Sequence, residues 1–194
     1  MKIDAFEKVL DAEDFSTGGG SAAALAGAMA AALTAMVARL SLKKDFGLPQ
    51  SDYHEIILEA EKLSGQLLDG SVRDLEAFAM VKEAYALPKG TVEEKEKRSL
   101  MIEKGFKAAA GIPAENADCS KQVLRLANLL NGRSNPAAGS DLEVARDLAR
   151  TALKGCLINI EINLPSIKDQ ETVQRLENRI SELRSILSDI FWRG

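Results

Sequence analysis

The chain is poor in the residues that bind metals and form disulfides. Its 194 residues include one histidine and two cysteines. Three such residues cannot supply the usual closed ligand set of a structural zinc site. Cys119 and Cys156 lie far apart and form no C-x-x-C pair, which is typical of reduced core thiols in a cytoplasmic protein. We therefore expect no metal site and a cytoplasmic location.

Aromatic residues and excess charge are also scarce. Aromatics make up 5% of the chain, and 25 basic against 29 acidic residues leave a net charge of −4. A duplex nucleic acid requires a clustered basic surface, so this balance argues against such a partner. The 46% of hydrophobic residues exclude disorder, and the Gly and Cys counts exclude collagen-like and disulfide-stapled classes. The length predicts a single domain over residues 1–194.

One long stretch has no charged residue. It runs from Phe15 to Ala38 and is long enough to span a bilayer. Ten of the 17 residues from Ala22 to Ala38 are alanine, which favours a helix that other helices approach closely. We therefore predict a soluble core helix and no membrane partner. The charged first residues of the chain do not predict a signal peptide.

Helical periodicity covers most of the chain, and no alternating strand pattern of useful length is present. Thr91 and Glu94 have the spacing of a capping box at a helix start, and Pro113 is typical of the first turn of another helix. The predicted helices cover residues 3–11, 21–44, 51–86, 91–110, 113–131, 140–163 and 169–192. Long helices with short connections predict an all-α bundle of roughly antiparallel neighbours, and the remaining apolar seams favour a dimer.

The strongest local pattern is a run of glycines directly before the alanine-rich helix. Gly18, Gly19, Gly20 and Ser21 would let a ligand approach the first amides of that helix. These amides lack partners within the helix and lie at the positive end of its dipole, which suits a carboxylate or a phosphate. The alternative interpretation is a tight turn capped by Ser21.

A second pattern places a carboxylate on an apolar helix face. Asp74 shares its face with Ala77, Phe78 and Val81. Burial there would raise its pKa towards the range useful for acid or base catalysis. The alternative is that Asp74 pairs with a buried arginine or with a helix end.

Polar residues also mark the two ends of the predicted helix over residues 140–163. Ser140 and Asp141 lie at its start, where either could be a simple cap. Asn159 and Asn163 lie four residues apart near its end, and asparagine is disfavoured inside helices and costly to bury unpaired. The pair therefore indicates a need for amide groups, with helix capping as the alternative.

Taken in order along the chain, these sequence segments resemble those of one family, the formiminotetrahydrofolate cyclodeaminases and methenyltetrahydrofolate cyclohydrolases. The resemblance covers nearly the whole chain and is carried by the following segments: 17–24, 37–44, 74–78, 84–89, 108–113, 134–141, 158–164 and 168–169. Arg39 departs from the family pattern, in which asparagine is often present, and it could change the substrate or its affinity.

The resemblance implies an all-helical homodimer that binds a reduced folate and needs no metal or redox cofactor. It implies acid/base catalysis, by which the enzyme forms 5,10-methenyltetrahydrofolate and ammonia from the formimino compound or hydrolyses the methenyl compound. On that basis Asp74 and Asp141 are the predicted acid/base pair. The predicted substrate-binding residues are Gly18, Gly19, Gly20, Ser21, Lys43, Lys89, Asn135, Ser140, Asn159 and Asn163. Of these, the glycine loop and Lys43 or Lys89 are predicted to receive the glutamate tail, and Ser140 and the three asparagines to orient the pterin or the bridge atoms. The alternative function is a non-catalytic folate-binding or helical assembly module.

Overall fold

The computed structural model describes residues 2–191, and the surroundings of side chains from residue 5 to residue 188. Within this part of the chain all regular structure is helical, which confirms the all-α prediction. The helices are α1 (Lys2–Leu10), α2 (Gly19–Ser41), α3 (Gln50–Ala86), α4 (Val92–Leu130), α5 (Gly139–Asn163) and α6 (Gln170–Phe191), with short 3₁₀ turns at Pro136–Ala138 and Leu164–Ser166. The predicted last residue of the final helix, Trp192, lies outside the described residues.

Four long helices form an antiparallel bundle. α2 packs against α3 and α5, and both of these pack against α4, so that α2 lies diagonally opposite α4. α6 contacts α4 and α5, whereas α1 contacts α2 and α3. Three apolar clusters fill the described part of the bundle. The first contains Leu67 and Leu130, the second Leu153 and Ile160, and the small third one Val81 and its neighbours Ala77 and Ala109. The predicted arrangement of long antiparallel neighbours is therefore confirmed.

The alanine-rich helix α2 allows unusually close helix contacts. A Cβ atom at Gly155 of α5 would lie 2.7 Å from the Cβ of Ala23, and one at Gly27 would lie 2.9 Å from Oγ of Ser120 in α4. α2 is long and apolar enough to cross a membrane, but most of it is buried inside the bundle. This burial favours the prediction of a core helix, because small side chains let backbones pack closely.

The predicted break at Pro113 is wrong, because α4 runs without interruption from Val92 to Leu130. Proline has no backbone N–H, so within a helix it leaves the carbonyl four residues earlier without its usual donor. Here that carbonyl belongs to Ala109, and Nδ2 of Asn163 donates to it at 3.1 Å. The predicted capping box of Thr91 and Glu94 is present at the start of the same helix.

The two cysteines are free and occupy different environments. Cys156 is completely buried, and burial together with the nearby carboxylate of Asp74 raises the pKa of its thiol to about 12. Cys119 is partly buried against the edge of the core, so the prediction of reduced core thiols is confirmed fully for Cys156 and in part for Cys119.

Candidate active site

The glycine-rich segment and Asp74 meet at the N-terminus of α2. α2 begins at Gly19, and its N-cap residue is Gly18. The carboxylate of Asp74, on α3, lies directly against this first turn, since a Cβ atom at Gly20 would be only 2.6 Å from Cγ of Asp74. Gly20 is therefore needed for a close approach, and the structure joins two motifs that are more than fifty residues apart in the sequence.

Ser21 holds the Asp74 side chain in place. Its Oγ lies 3.0 Å from Oδ2 of Asp74 and 3.0 Å from the carbonyl oxygen of Ser71. The alternative that Ser21 caps its own helix is wrong, because the N-cap is Gly18 and no side chain there makes the cap hydrogen bond. The carboxylate instead binds the end of α2 from α3, as the alternative interpretation of Asp74 anticipated.

The ionisation of Asp74 reflects two opposing influences. Burial raises the pKa of its carboxyl group, whereas the hydroxyl and backbone amide of Ser21 lower it, and burial dominates. The result is a raised pKa, because removing a carboxylate from water costs more than these hydrogen bonds return. A carboxyl group with this balance takes up and releases protons closer to neutral pH than an exposed aspartate does.

Asn159 and Asn163 of α5 lie at the same end of the bundle. A Cβ atom at Gly19 would lie 3.4 Å from Nδ2 of Asn159, so this amide borders the start of α2. In the structure Asn159 donates to the carbonyl of Gly155, and Asn163 donates to the carbonyls of Asn159 and Ala109. Asn163 thus has a structural role that the sequence did not reveal, whereas Asn159 lies within reach of a ligand at the glycines.

α3 and α4 extend past the N-terminus of α2, so α2 does not cover their ends. α3 extends for twelve residues after Asp74, which is about 18 Å of helix. Phe78 and Tyr85 of this extension are 45% and 52% exposed, although both are large aromatic side chains. Phe106 of α4 packs edge-on against Tyr85 at 6.3 Å between ring centroids. We call this apolar region, formed by the exposed Phe78 and Tyr85 and the partly buried Phe106, the aromatic recess.

Asn135, Ser140, Asp141 and Lys43 lie at the opposite end of α2. The backbone N–H of Asn135 donates to Oγ of Ser41 at 2.9 Å, next to the last turn of α2. Asp141 lies in the first turn of α5, eighteen residues before Asn159, or about 27 Å along the helix. Within one chain the structure therefore does not bring Asp141 to Asp74.

The start of α5 also differs from its predicted capping. Its N-cap residue is Ala138, and no side chain makes the cap hydrogen bond there. Ser140 and Asp141 are therefore not N-caps, and the capping interpretation of these two residues is wrong. Asn135 caps the preceding 3₁₀ turn instead, since its Oδ1 accepts from the N–H of Ala137 at 3.1 Å.

Lys89 occupies a third position, in the connection between α3 and α4. It lines a cleft of about 340 Å³ together with Lys95, Arg98 and Lys168, and Glu103 supplies the carboxylate of the lining. Arg98 also lies over the ring of Tyr85, at 5.3 Å from its centroid, so this cleft borders the aromatic recess. Its cationic lining is suited to an anionic group.

The sequence did not single out Ser71 or the aromatic recess. Ser71 acts through its backbone carbonyl, which any residue type supplies, so no sequence signal could reveal it. Phe78 and Tyr85 belong to a helix whose periodicity predicts a packed face, and they remain exposed because α2 begins level with Asp74 and does not extend along them. Among the described residues, no group of three His, Cys, Asp or Glu side chains is arranged to hold a metal ion.

Comparison with known proteins places the chain in a family. A sequence model described as formiminotransferase-cyclodeaminase matches residues 2–182. The chain belongs to the formiminotransferase-cyclodeaminase family. The methenyltetrahydrofolate cyclohydrolase of Methylorubrum extorquens is 32% identical over 188 residues, which cover 96% of this chain and 89% of that relative.

Other members of the formiminotransferase-cyclodeaminase family are longer. The formimidoyltransferase-cyclodeaminase of Mus musculus is 31% identical over 179 residues, which are 92% of this chain but 33% of the mouse protein. The chain therefore spans about a third of such bifunctional relatives. The crystal structure of the formiminotetrahydrofolate cyclodeaminase of Thermotoga maritima superposes with a TM-score of 0.82 at 25% identity, over 97% of this chain and 90% of that one.

Proposed function

We propose that this protein is a folate one-carbon enzyme that acts at the 5,10-methenyl bridge of tetrahydrofolate. The observation that carries the proposal is Asp74, a desolvated carboxyl group held by Ser21 at the start of α2, where the apolar surface of the recess begins. The names of the relatives supply the substrate class, because one hydrolyses methenyltetrahydrofolate and another cyclises its formimino precursor.

Both reactions need proton transfer at the bridge. In the hydrolysis, water adds to the bridge carbon while a base takes one of its protons. The remaining hydroxyl proton is lost as the bond from carbon to N5 breaks and the formyl group forms on N10, and N5 receives a proton. In the cyclodeamination, N10 attacks the formimino carbon and loses its proton, and the departing nitrogen receives a proton and leaves as ammonia. A positioned carboxyl group performs either transfer, and as a carboxylate it stabilises the cationic bridge.

Asp74 is the first member of the proposed acid/base pair, and Asp141 is the second. In this assignment the first turn of α2 and Asn159 orient the pterin, with Ser140 and Asn135 beside Asp141. Asn163 supports the site by holding α5 against α4. Because Asp141 lies far from Asp74 within one chain, the pair requires a homodimer, which we propose as the working form of the enzyme.

The cationic cleft at Lys89 is proposed as the place of the glutamate tail of the folate. It lies at the far end of the aromatic recess from Asp74, so a folate with its pterin at Asp74 would direct its aminobenzoyl ring and tail along α3. Lys43 is the second candidate for the tail, and it lies at the opposite end of α2 from Asp74. The proposed reaction uses no metal or redox cofactor, because carboxyl groups carry out its proton transfers.

Cyclohydrolase activity is the first candidate, because the Methylorubrum relative matches this chain along most of its own length. Cyclodeaminase activity is the second, because the Thermotoga structure has the same fold over nearly the whole chain. The match covers a third of the longer relatives, and no formimidoyltransferase activity is proposed for this chain.

Absorbance distinguishes these activities directly. Methenyltetrahydrofolate has a chromophore that hydrolysis removes, so a cyclohydrolase accelerates its disappearance at neutral pH. A cyclodeaminase produces the same chromophore from formiminotetrahydrofolate and releases ammonia. Tight binding of both folates without turnover would contradict the proposal and establish a folate carrier, and the absence of binding would leave a helical assembly module.

Asp74→Asn tests the role of the carboxyl group. We expect kcat to fall by roughly 10²–10⁴ if Asp74 transfers a proton. The amide keeps the shape of the side chain, so the variant is expected to fold. A loss of less than about tenfold in folded protein would contradict the assignment, since such a loss is below the usual contribution of general acid/base catalysis.

A further inference from the structure

A buried asparagine of α4 lies one helical turn from Asp74. Asn116 is only 3% exposed, and a Cβ atom at Gly70 of α3 would lie 2.8 Å from its Cγ. Gly70 and Asp74 are four residues apart in α3, so they share one face of the helix. The side-chain amide of Asn116 therefore occupies the space beside Asp74 that a side chain at position 70 would fill.

The Asp74 side chain extends back over the same turn of α3. Side chains of an α-helix lean towards its N-terminus, over the residues three and four positions earlier, which here are Ser71 and Gly70. Oγ of Ser21 lies 3.0 Å from Oδ2 of Asp74 and 3.0 Å from the carbonyl oxygen of Ser71, so the carboxyl group lies close to this turn. The carboxyl group and the Asn116 amide are therefore neighbours.

The amide nitrogen of Asn116 is a buried donor without an acceptor in the part of the chain that the structure describes. The hydroxyl of Ser120 donates to the backbone carbonyl of Asn116, but no such partner holds its side chain. A buried donor that is left unpaired costs free energy, so each one calls for an explanation. A donor kept beside a buried carboxyl group can stabilise the negative charge that this group acquires when it ionises.

Ser21 does not satisfy the ionised form of Asp74 by itself. Its hydroxyl has a single hydrogen, and two acceptors, Oδ2 of Asp74 and the carbonyl oxygen of Ser71, lie at the same distance from it. The backbone amide of Ser21 also donates to the carboxylate, yet burial still dominates the pKa of Asp74. A carboxylate has about four acceptor positions, so the charged group has room for a further donor from α4.

Among the described residues, the groups that face Asp74 from the other helices carry no charge. α2 presents Gly20 and Ser21, and α4 presents Asn116. From α5 the thiol of Cys156 interacts with the carboxylate, but its burial and Asp74 itself raise the pKa of this thiol to about 12, so it stays neutral. The ionisation of Asp74 therefore depends on burial and on neutral hydrogen-bond donors.

We propose that Asn116 is a positioning residue of the active site, whose Nδ2 donates a hydrogen bond to the Asp74 carboxylate when that group is ionised. Rotation of the two side chains brings the amide and the carboxylate into contact. When Asp74 gives its proton to a nitrogen of the folate, the negative charge stays on the carboxylate and Asn116 stabilises it. Only this consequence for catalysis rests on the proposed function, because the effect on ionisation holds for the folded protein alone.

Asn116→Leu removes the amide and keeps the branched shape of the side chain. We expect the pKa of Asp74 to rise by about one to two pH units, the usual contribution of a hydrogen bond to a charged group. Urea denaturation from pH 4 to pH 8 measures this shift by comparing Asp74→Asn with its parent, in the wild type and in Asn116→Leu. The stability gained by Asp74→Asn should continue to increase up to a higher pH in Asn116→Leu. An unchanged pH dependence would overturn the inference.

Asn116→Ala distinguishes a lost donor from a change in hydration. Leucine excludes water from this turn whereas alanine leaves space for it, so hydration alone would move the pKa of Asp74 in opposite directions. A lost donor raises the pKa in both variants, and a lowered or unchanged pKa in Asn116→Ala would overturn the inference. Ser120→Ala is the matched control, because Ser120 is buried one turn further along α4 and bonds only its own helix. It should not move the pH dependence.

Kinetics test the consequence for catalysis. Asn116 is too deeply buried to touch a bound folate, so in Asn116→Leu we expect KM to change by less than about twofold. We expect kcat to fall about tenfold for each unit by which the pKa of Asp74 rises, and the inflection of kcat to move to higher pH. Ser120→Ala should retain both values. A shifted stability profile with unchanged kcat would overturn the positioning role.

Failure of the proposed function gives a different result. A wild-type protein that turns over neither folate would reject that function, whereas urea denaturation needs no turnover. The pH dependence of stability in Asn116→Leu and Asn116→Ala would then still decide whether Asn116 stabilises the ionised form of Asp74.

Discussion

Nδ2 of Asn163 donates a hydrogen bond to the carbonyl oxygen of Ala109 at 3.1 Å. This carbonyl lacks its helical donor because Pro113 stands four residues later in the same helix. A side chain of α5 thus replaces a backbone hydrogen bond of α4 and fixes the two helices to each other. The contact lies at the same end of the bundle as the candidate site, where α2 begins.

Asn163→Ala should therefore lower the free energy of unfolding. We expect a loss of about 1–3 kcal/mol, the usual cost of leaving a buried polar group without a partner. Pro113→Ala restores a backbone N–H at the position that can donate to the carbonyl of Ala109. A double-mutant cycle followed by urea denaturation should show that Asn163→Ala costs less in the Pro113→Ala background. Equal costs in both backgrounds would show that the hydrogen bond does not stabilise the fold.

The raised pKa of Asp74 predicts how its effect on stability depends on pH. The folded protein holds the proton more tightly than the unfolded chain, whose aspartate titrates near the ordinary value of 3.8. The free energy of unfolding contributed by this group is therefore greatest below that value and is lost as the pH rises through the folded pKa. Asp74→Asn has no titratable group at this position, so its free energy of unfolding lacks this pH-dependent decrease.

Urea denaturation of Asp74→Asn and of the wild type at several pH values tests this prediction. We expect the stability of Asp74→Asn relative to the wild type to increase from pH 4 to pH 8, even though its activity is greatly reduced. In the wild type, any step in which Asp74 donates a proton should slow as the pH rises through its raised pKa, and the variant should lose this inflection. A variant that is progressively less stable than the wild type towards pH 8 would contradict the raised pKa.

Gly20→Ala should disturb the site through a single methyl group. The new Cβ would lie 2.6 Å from Cγ of Asp74 and would force the carboxylate away from Ser21. We expect a stability loss of about 1–3 kcal/mol from this overpacking and a fall in kcat of roughly tenfold or more, because small displacements of a catalytic group are costly.

Gly111→Ala is the matched control for Gly20→Ala. A Cβ at Gly111, in the interior of α4, would meet nothing within 4 Å. Alanine at this position should stabilise the helix by about 0.5–1 kcal/mol and leave kcat unchanged. If Gly20→Ala behaves like this control, the close contact between Gly20 and Asp74 has no functional importance.

Substitution of the candidate tail-binding lysines should affect KM more than kcat. Lys89→Gln and Lys43→Gln each remove one exposed charge, so we expect KM to rise roughly two- to fivefold, with a smaller effect at high salt. Lys62→Gln, an exposed position in the middle of α3, should leave KM unchanged. A larger rise in KM for a polyglutamate substrate than for a monoglutamate would support the tail assignment. An unchanged KM in both lysine variants would contradict it.

The sequence by itself determined the all-α class, the positions of most helices and the small-residue character of α2. These features depend on local periodicity, capping and composition, which neighbouring residues express directly. The capping box of Thr91 and Glu94 is such a feature. Asp74 and the glycines before α2 were also recognisable, because a carboxylate on an apolar stripe and three consecutive glycines stand out against their surroundings.

Only the tertiary structure decided which of these residues meet. The continuity of α4 through Pro113 depends on Asn163, which is fifty residues away in the sequence and supplies the missing donor. The contact of Gly20 with Asp74, and the distance of Asp141 from both, follow from the register between α2, α3 and α5. Local sequence patterns cannot specify this register, because it is set by the simultaneous packing of side chains from several helices.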